Sequence, residues 1–306
     1  MIQAILDRAV ALARPAAEQG APASYIPELA KADPRQLGAC IFTLDGGRFS
    51  SGDTQVRFSI QSISKVISLA VALERCGYET VLSQVGMEPS GDPFNSLVRL
   101  ESSESHPSNP MINSGAIAVD SYLEPVISFE EMLSFTRELC MDPEIRLDER
   151  VYRSEMSNIS RNRAIAYLLE NKGVIQSDVE RTLDFYVKMC SLSVTAESLA
   201  GFGLLLANGG VNPNTGARLL QAETVQVVKT IMLTCGMYNG SGGFAVRVGI
   251  PSKSGVGGGI LSVADRKMGI GIFGPSLDQK GNSVAGEQVL EYLSTHLRLH
   301  IFAGAG

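Results

Sequence analysis

The 306-residue chain is 44% hydrophobic and 19% charged, the balance of a globular protein with a well-buried core in one large or two intimate domains. A formal net charge of −6 with no run of lysines or arginines excludes the basic footprint of a nucleic-acid-binding protein, and no apolar stretch approaches the roughly twenty residues that cross a bilayer. Its five cysteines, at 40, 76, 140, 190 and 235, are odd in number and widely spaced without a Cys-x-x-Cys, which fits small core thiols in a reducing cytosol better than a disulfide framework.

The chain opens on Met1 to Arg8, whose charges interrupt any signal-peptide core and whose periodicity reads as an amphipathic helix, so export is not expected. Leu37 to Leu44, the turn Asp45-Gly46-Gly47 and Arg48 to Phe58 read as a β-hairpin. An apolar run from Val66 to Leu73 then predicts a helix with Ser62 in its first turn. From there to about Leu233 the spacing is helical: Ile117 to Leu123, Phe129 to Leu139, Ala164 to Leu169, Val179 to Met189, Ala196 to Leu206 and Val225 to Met232. Glu101 to Pro110, rich in Ser and Pro, reads as a surface loop that leaves His106 solvated. Alternation returns in Phe244 to Val248, Gly259 to Val263 and Met268 to Phe273, which predict three strands, and a helix over Ser283 to Leu297 follows. Strands near both ends with helices between them imply an α+β fold: an antiparallel sheet assembled from the two termini, flanked by helices and covered by a large helical insertion. Residues 1–60 and 240–306 would form the sheet-containing part and 61–239 the helical part of one catalytic unit, with its cleft between them.

Two motifs carry chemistry. Ser62-Ile63-Ser64-Lys65 is the one Ser-x-x-Lys of the chain; a helix start favours negative charge developing on Ser62, and Lys65 falls one turn on over the same face. An amine in a desolvated cleft loses its proton readily and can activate the serine without histidine. The second, Lys253-Ser254-Gly255-Val256-Gly257-Gly258-Gly259, fails as a phosphate loop because no Gly-Lys-Ser/Thr and no helix follow it. It reads as bare edge-strand backbone close to a substrate, with an N–H near Val256 completing an oxyanion hole, or as a simple turn. Only His106, His296 and His300 are available for a Ser-His-Asp arrangement, and His296 with His300 lacks a third ligand, so neither a metal nor another cofactor is expected.

Several blocks in chain order extend this pattern: Tyr25-Ile26-Pro27-Glu28-Leu29-Ala30, Phe58 to Lys65, Asn109-Pro110-Met111-Ile112-Asn113-Ser114-Gly115-Ala116, Ser154-Glu155, Arg161-Asn162, Ser252 to Gly259 and Gly281 to Gly286. Together they resemble the glutaminase family. The resemblance implies a fold like that of serine β-lactamases and penicillin-binding proteins, and hydrolysis of L-glutamine to glutamate and ammonia by a Ser/Lys acyl-enzyme route. It assigns Ser62 as nucleophile, Lys65 as base, the N–H groups of Ser62 and Val256 as oxyanion donors, Tyr186 as a proton relay to the departing ammonia, and Tyr25 and Tyr238 as further site tyrosines. Gln61, Asn113, Glu155 and Asn162 match substrate-contacting positions, a carboxylate suiting an α-ammonium and amides an α-carboxylate. On their own, the tyrosines would read as packing residues and Glu155 with Asn162 as an exposed pair at a helix start. Ser114 stands where the family pattern favours alanine. The resemblance also implies a compact bacterial-type form and a homodimer or homotetramer, while the cysteines, charge and hydropathy point to a cytoplasmic enzyme with no nucleic-acid or membrane partner. The competing readings are a β-lactamase-like or esterase-like serine hydrolase and a non-catalytic amino-acid-binding relative.

Overall fold

A computed structural model of the chain describes residues 1–96 and 106–303. Among the described residues eight short strands form two antiparallel sheets: β1 Gly38–Thr43, β2 Arg48–Gly52, β3 Phe58–Ser59, β4 Arg146–Leu147, β5 Leu192–Val194, β6 Ser252–Ser254, β7 Gly259–Ala264 and β8 Met268–Phe273. The larger sheet runs β2-β1-β8-β7-β6, so strands from both ends of the chain interleave, β1 pairing with β8 from Gly38 opposite Phe273 to Thr43 opposite Met268. The expected antiparallel sheet drawn from the two termini is therefore present, with helices on both faces.

Alternation along the strands decides what covers each face. Ile270 and Ile272 of β8 join Ala39 and Ile41 of β1 in a core closed by the Ile2–Ala13 and Val284–His296 helices. On the other face β8 carries Gly269 and Gly271, and the Ala196–Ala207 helix settles directly on that bare backbone: a β-carbon at Gly271 would lie 1.9 Å from the Ala196 carbonyl oxygen. The Ser64–Cys76 helix is buried on all sides from Ser64 to Leu73, as its unbroken apolar run requires, and it is the axis around which the helical core packs.

Two expected strands differ. The hairpin's return strand ends at Gly52 instead of continuing to Phe58. Arg57 donates to the Ser193 carbonyl at 3.2 Å and pairs with Asp142 at 3.3 Å, which carries Phe58–Ser59 into the second sheet, of order β3-β5-β4. Phe244 to Val248, expected as a strand, falls in the Ser241–Arg247 helix and its C-cap. Phe244 and Val248 are buried while Val246, between them, is 79% exposed, an i, i+4 pattern that two-residue alternation imitated. The strand in that region is β6, which carries Lys253. Within the expected loop Glu101 to Pro110, residues 101–105 lie outside the described residues, and His106 is exposed. Among the described residues no helix is long and apolar enough to cross a membrane.

Candidate active site

The β3 strand delivers the chain to the site. Ile60 N–H donates to the Leu192 carbonyl at 2.8 Å, and Gln61 then takes a left-handed conformation, φ +48°, rare for a residue with a β-carbon. The turn that results, Gln61–Ile63, is 3₁₀, and the α-helix begins only at Ser64. Ser62 thus sits just before the helix and not in its first turn, a shift of register forced by the Gln61 kink and locked by the Ser64 hydroxyl donating to the Gln61 carbonyl at 2.8 Å. Ser62 is nearly buried, yet it lines a cavity of about 280 Å³.

Lys65 occupies the first turn of the helix and is buried. Its Nζ donates to Asn113 Oδ1 at 2.7 Å and to the Met111 carbonyl at 3.3 Å. Burial pushes its pKa down to about 8, against the opposing pull of Cys190, Glu155 and Asp120. The Asn113–Leu123 helix, which supplies that acceptor, also carries the Asn113 amide to Asn162, with Nδ2 donating to Oδ1 at 2.9 Å. Glu155 is the penultimate residue of the Glu149–Met156 helix and is buried, so it is not an exposed helix-start group. Gln61 Nε2 donates to its Oε2 at 3.3 Å. Burial pushes the Glu155 carboxyl up to about 7, with Gln61 and Lys65 holding it down.

The cavity brings together Tyr25, Gln61, Ser62, Asn113, Glu155, Asn162 and Tyr186. Tyr25 leaves 53% of its surface open to solvent while its hydroxyl turns inward, where burial and then Tyr238 and Glu155 raise its pKa well above the ordinary tyrosine range. Tyr186, on the Val179–Cys190 helix, is buried; burial, then Cys190 and Glu155, keep its phenol protonated far beyond neutral pH. Tyr238 and Val256 do not line this cavity; they share a small apolar cluster with Ala23 and Leu277, and Val256 lines a separate cavity with Ser59 and Gly257. Burial raises the Tyr238 phenol, opposed by the Ser62 hydroxyl that it faces, and its oxygen is left without a completed hydrogen bond. The Lys253 Nζ lies 4.3 Å above the Tyr238 ring, and burial, then Lys65, drive that amine's pKa far below the usual lysine range.

Val256 sits in the turn between β6 and β7, and neither its N–H nor that of Ser62 has a backbone acceptor among the described residues. The glycines around it serve a different end from the one their pattern suggested. They let the turn press against the serine segment: a β-carbon at Gly257 would stand 2.2 Å from the Ser59 carbonyl oxygen. Bare backbone here packs protein on protein, the turn that carries Val256 lying against the segment that leads into Ser62.

The motifs did not single out Asp120, which lies two turns beyond Asn113 on the same face of its helix; that spacing in an otherwise apolar helix was the available signal. Burial pushes its carboxyl up to about 7, opposed by Ser68 and Lys65, and its Oδ1 has no hydrogen-bond partner. A carboxyl raised from its unfolded value keeps in the fold a proton that the unfolded chain releases, so the folded state loses stability as pH rises toward 7. Asp120→Asn, which never ionises, is expected to melt roughly 3 °C or more above wild type at pH 8 and level with it at pH 4. Calorimetry at the two pH values checks this, and equal shifts at both would contradict it.

A family model described as glutaminase matches residues 20–302. The chain is 49% identical over 306 residues to a glutaminase of Clostridium tetani, covering 99% of this chain and 100% of that one. It is 52% identical to glutaminase 2 of Clostridium perfringens, with 93% of this chain and 95% of that one covered. Among solved structures it is similar to a Bacillus subtilis glutaminase in covalent complex with 5-oxo-L-norleucine, formed by reaction with 6-diazo-5-oxo-L-norleucine. The TM-score is 0.89 at 38% identity, and 99% of this chain and 100% of that one are covered.

Proposed function

The chain belongs to the glutaminase family, whose fold is of the serine β-lactamase type and whose reaction turns L-glutamine into L-glutamate and ammonia, and we propose that it does so through an acyl-enzyme on Ser62 with Lys65 as base. The observation that carries this reading is the buried Lys65 amine, three residues from a serine that opens onto the cavity and held by two oxygen acceptors, with no carboxylate among the described residues bonded to it. With its pKa brought down to about 8, a useful fraction of Lys65 is neutral near physiological pH and can accept the Ser62 proton.

Ser62 Oγ then attacks the side-chain carboxamide carbon, and the carbonyl oxygen gathers negative charge against the N–H groups of Ser62 and Val256. As the C–N bond breaks, a phenol donates to the leaving nitrogen and recovers its proton from the Lys65 ammonium, which returns Lys65 to its neutral form. Tyr186 suits this role because it stays protonated, with Tyr25 closing the mouth. Water completes the cycle by attacking the ester, which releases glutamate and returns the proton to Ser62. Glu155 receives the α-ammonium, the amides of Asn113 and Asn162 the α-carboxylate, and Gln61 and Tyr238 flank the reacting carbon. No step calls for a cofactor.

In the same reading the chain is one catalytic unit of two parts, residues 1–60 with 240–306 and residues 61–239. Support comes from the shared large sheet of β1, β2 and β6 to β8, and from a cavity walled by Asn113, Glu155 and Tyr186 of the helical part. Five free cysteines support a reducing compartment, the cytoplasm. A homodimer or homotetramer is the assembly that family membership favours.

A substrate panel tests the function. Ammonia release from L-glutamine is expected to exceed that from L-asparagine by about 10²-fold or more, since a side chain one methylene shorter cannot place its amide at Ser62 while its charges stay bound. Benzylpenicillin is expected to remain intact. Preferred opening of the β-lactam would make the chain a β-lactamase-like hydrolase, and glutamine binding without turnover would make it an amino-acid-binding relative.

A further inference from the structure

The two amides assigned to the α-carboxylate are already partly spent. Asn113 Oδ1 accepts from Lys65 and one Nδ2 hydrogen goes to Asn162 Oδ1, so the pair offers at most three uncharged N–H donors. Across the cavity stands Glu155, whose ionised form repels the same carboxylate. Lys65 does not line the cavity, and its amine is spent on Asn113 Oδ1 and the Met111 carbonyl. A zwitterion needs a cation at this end, and Arg161 is the only lysine or arginine lining the cavity among the described residues.

We propose that Arg161 captures and orients the α-carboxylate of the substrate at the cavity mouth, and so sets the preference for a free amino acid over an α-blocked amide. The inference rests on the cavity being the glutamine site. Arg161 and Asn162 are adjacent in the first turn of the Ser160–Asn171 helix. The Arg161 Nε donates to the Asn95 carbonyl at 2.6 Å, which fixes the plane of the guanidinium, and its two terminal nitrogens have no acceptor and no carboxylate partner among the described residues. Arg163, two residues on, shows the contrast: its Nε and one terminal nitrogen are both engaged by Glu180, at 2.8 and 3.0 Å. A planar fork with one edge anchored and the other open is pre-organised for a carboxylate.

The test compares L-glutamine with L-glutaminamide, whose α-carboxylate is replaced by a neutral carboxamide, on wild type, Arg161→Gln and Arg161→Lys, following loss of each substrate by chromatography. Arg161→Gln is expected to raise the KM for L-glutamine about tenfold with kcat changed less than about twofold, and to leave the KM for L-glutaminamide within about twofold. Arg161→Lys should recover part of the glutamine KM, because the charge returns without the fork. In wild type, raising the salt concentration should raise the KM for L-glutamine more than that for L-glutaminamide, a comparison that needs no variant to fold. Equal losses on both substrates would reduce Arg161 to a brace for Asn95, and an unchanged glutamine KM or parallel salt responses would overturn the proposal outright. Wild type that consumes neither substrate would instead sink the reading of the cavity as a glutamine site.

Discussion

Ser62→Ala is expected to lower glutamine turnover by about 10³-fold or more while the protein folds as before. The turn that presents Ser62 is held by its neighbours: Ile60 N–H on the Leu192 carbonyl, Ile63 N–H on the Ile60 carbonyl, and the Ser64 hydroxyl on the Gln61 carbonyl. None of these bonds uses the Ser62 hydroxyl. Its removal relieves Tyr238 of a neighbour but opens no cavity, so the melting temperature should stay within about 2 °C of wild type. The companion measurement is mass spectrometry after 6-diazo-5-oxo-L-norleucine. Wild type should carry one adduct on the peptide containing Ser62, and the alanine variant none. Turnover near wild type, or an adduct on another residue, would move the nucleophile elsewhere.

Lys65→Met should be as damaging to catalysis and more revealing about pH. Methionine matches the buried stem and removes only the amine, so kcat is expected to fall by about 10³-fold, since the other buried amine, Lys253, stacks on the Tyr238 ring and bonds its own strand at the Ser254 carbonyl. In wild type the active form has Lys65 unprotonated. Because burial brings its pKa down to about 8, kcat/KM should climb as pH rises through 8, with an earlier rise near 7 as Glu155 gains the charge that holds the ammonium. Stability carries the same signature. Lys65 has a folded pKa below its ordinary 10.5, so the cost of a buried ammonium is full below about pH 8 and is relieved between 8 and 10.5, where the fold grows more stable with pH. The methionine variant should lose both the catalytic limb near 8 and that stability gain. A limb near 8 that survives in its residual activity would assign the titration to another group.

Local patterns foretold much of the architecture because period-two and period-3.6 spacing report directly on which side of a strand or helix meets the core. Met268 to Phe273 shows this well: isoleucines mark one buried face, and glycines mark the place where a helix backbone settles. The same rule misled at Phe244 to Val248, where five residues hold too few periods to separate a strand from a helical turn, and the exposure of Val246 decides the matter. It was silent on the second sheet, whose strands of two or three residues are defined by their partners alone.

For the site, the order of chemical groups along the chain was legible, since the apolar run after Lys65 places the lysine in the first turn of a helix, although the serine falls in the 3₁₀ turn before it. Their protonation was not. Burial among Met111, Asn113 and the surrounding core sets the amine of Lys65, and burial raises the carboxyls of Glu155 and Asp120 against the opposing pull of Gln61, 94 positions from Glu155, and of Ser68. Composition and periodicity by themselves determined the α+β class and the Ser62 and Lys65 pair, because those follow from interactions between near neighbours in the chain, whereas the tyrosines, Gln61, Asn113, Glu155 and Asn162 stood out only through the resemblance to the glutaminase family. Only the tertiary structure decided which of them meet, which lose water and which keep their protons, because desolvation and charge coupling depend on distances in space that no local spacing encodes.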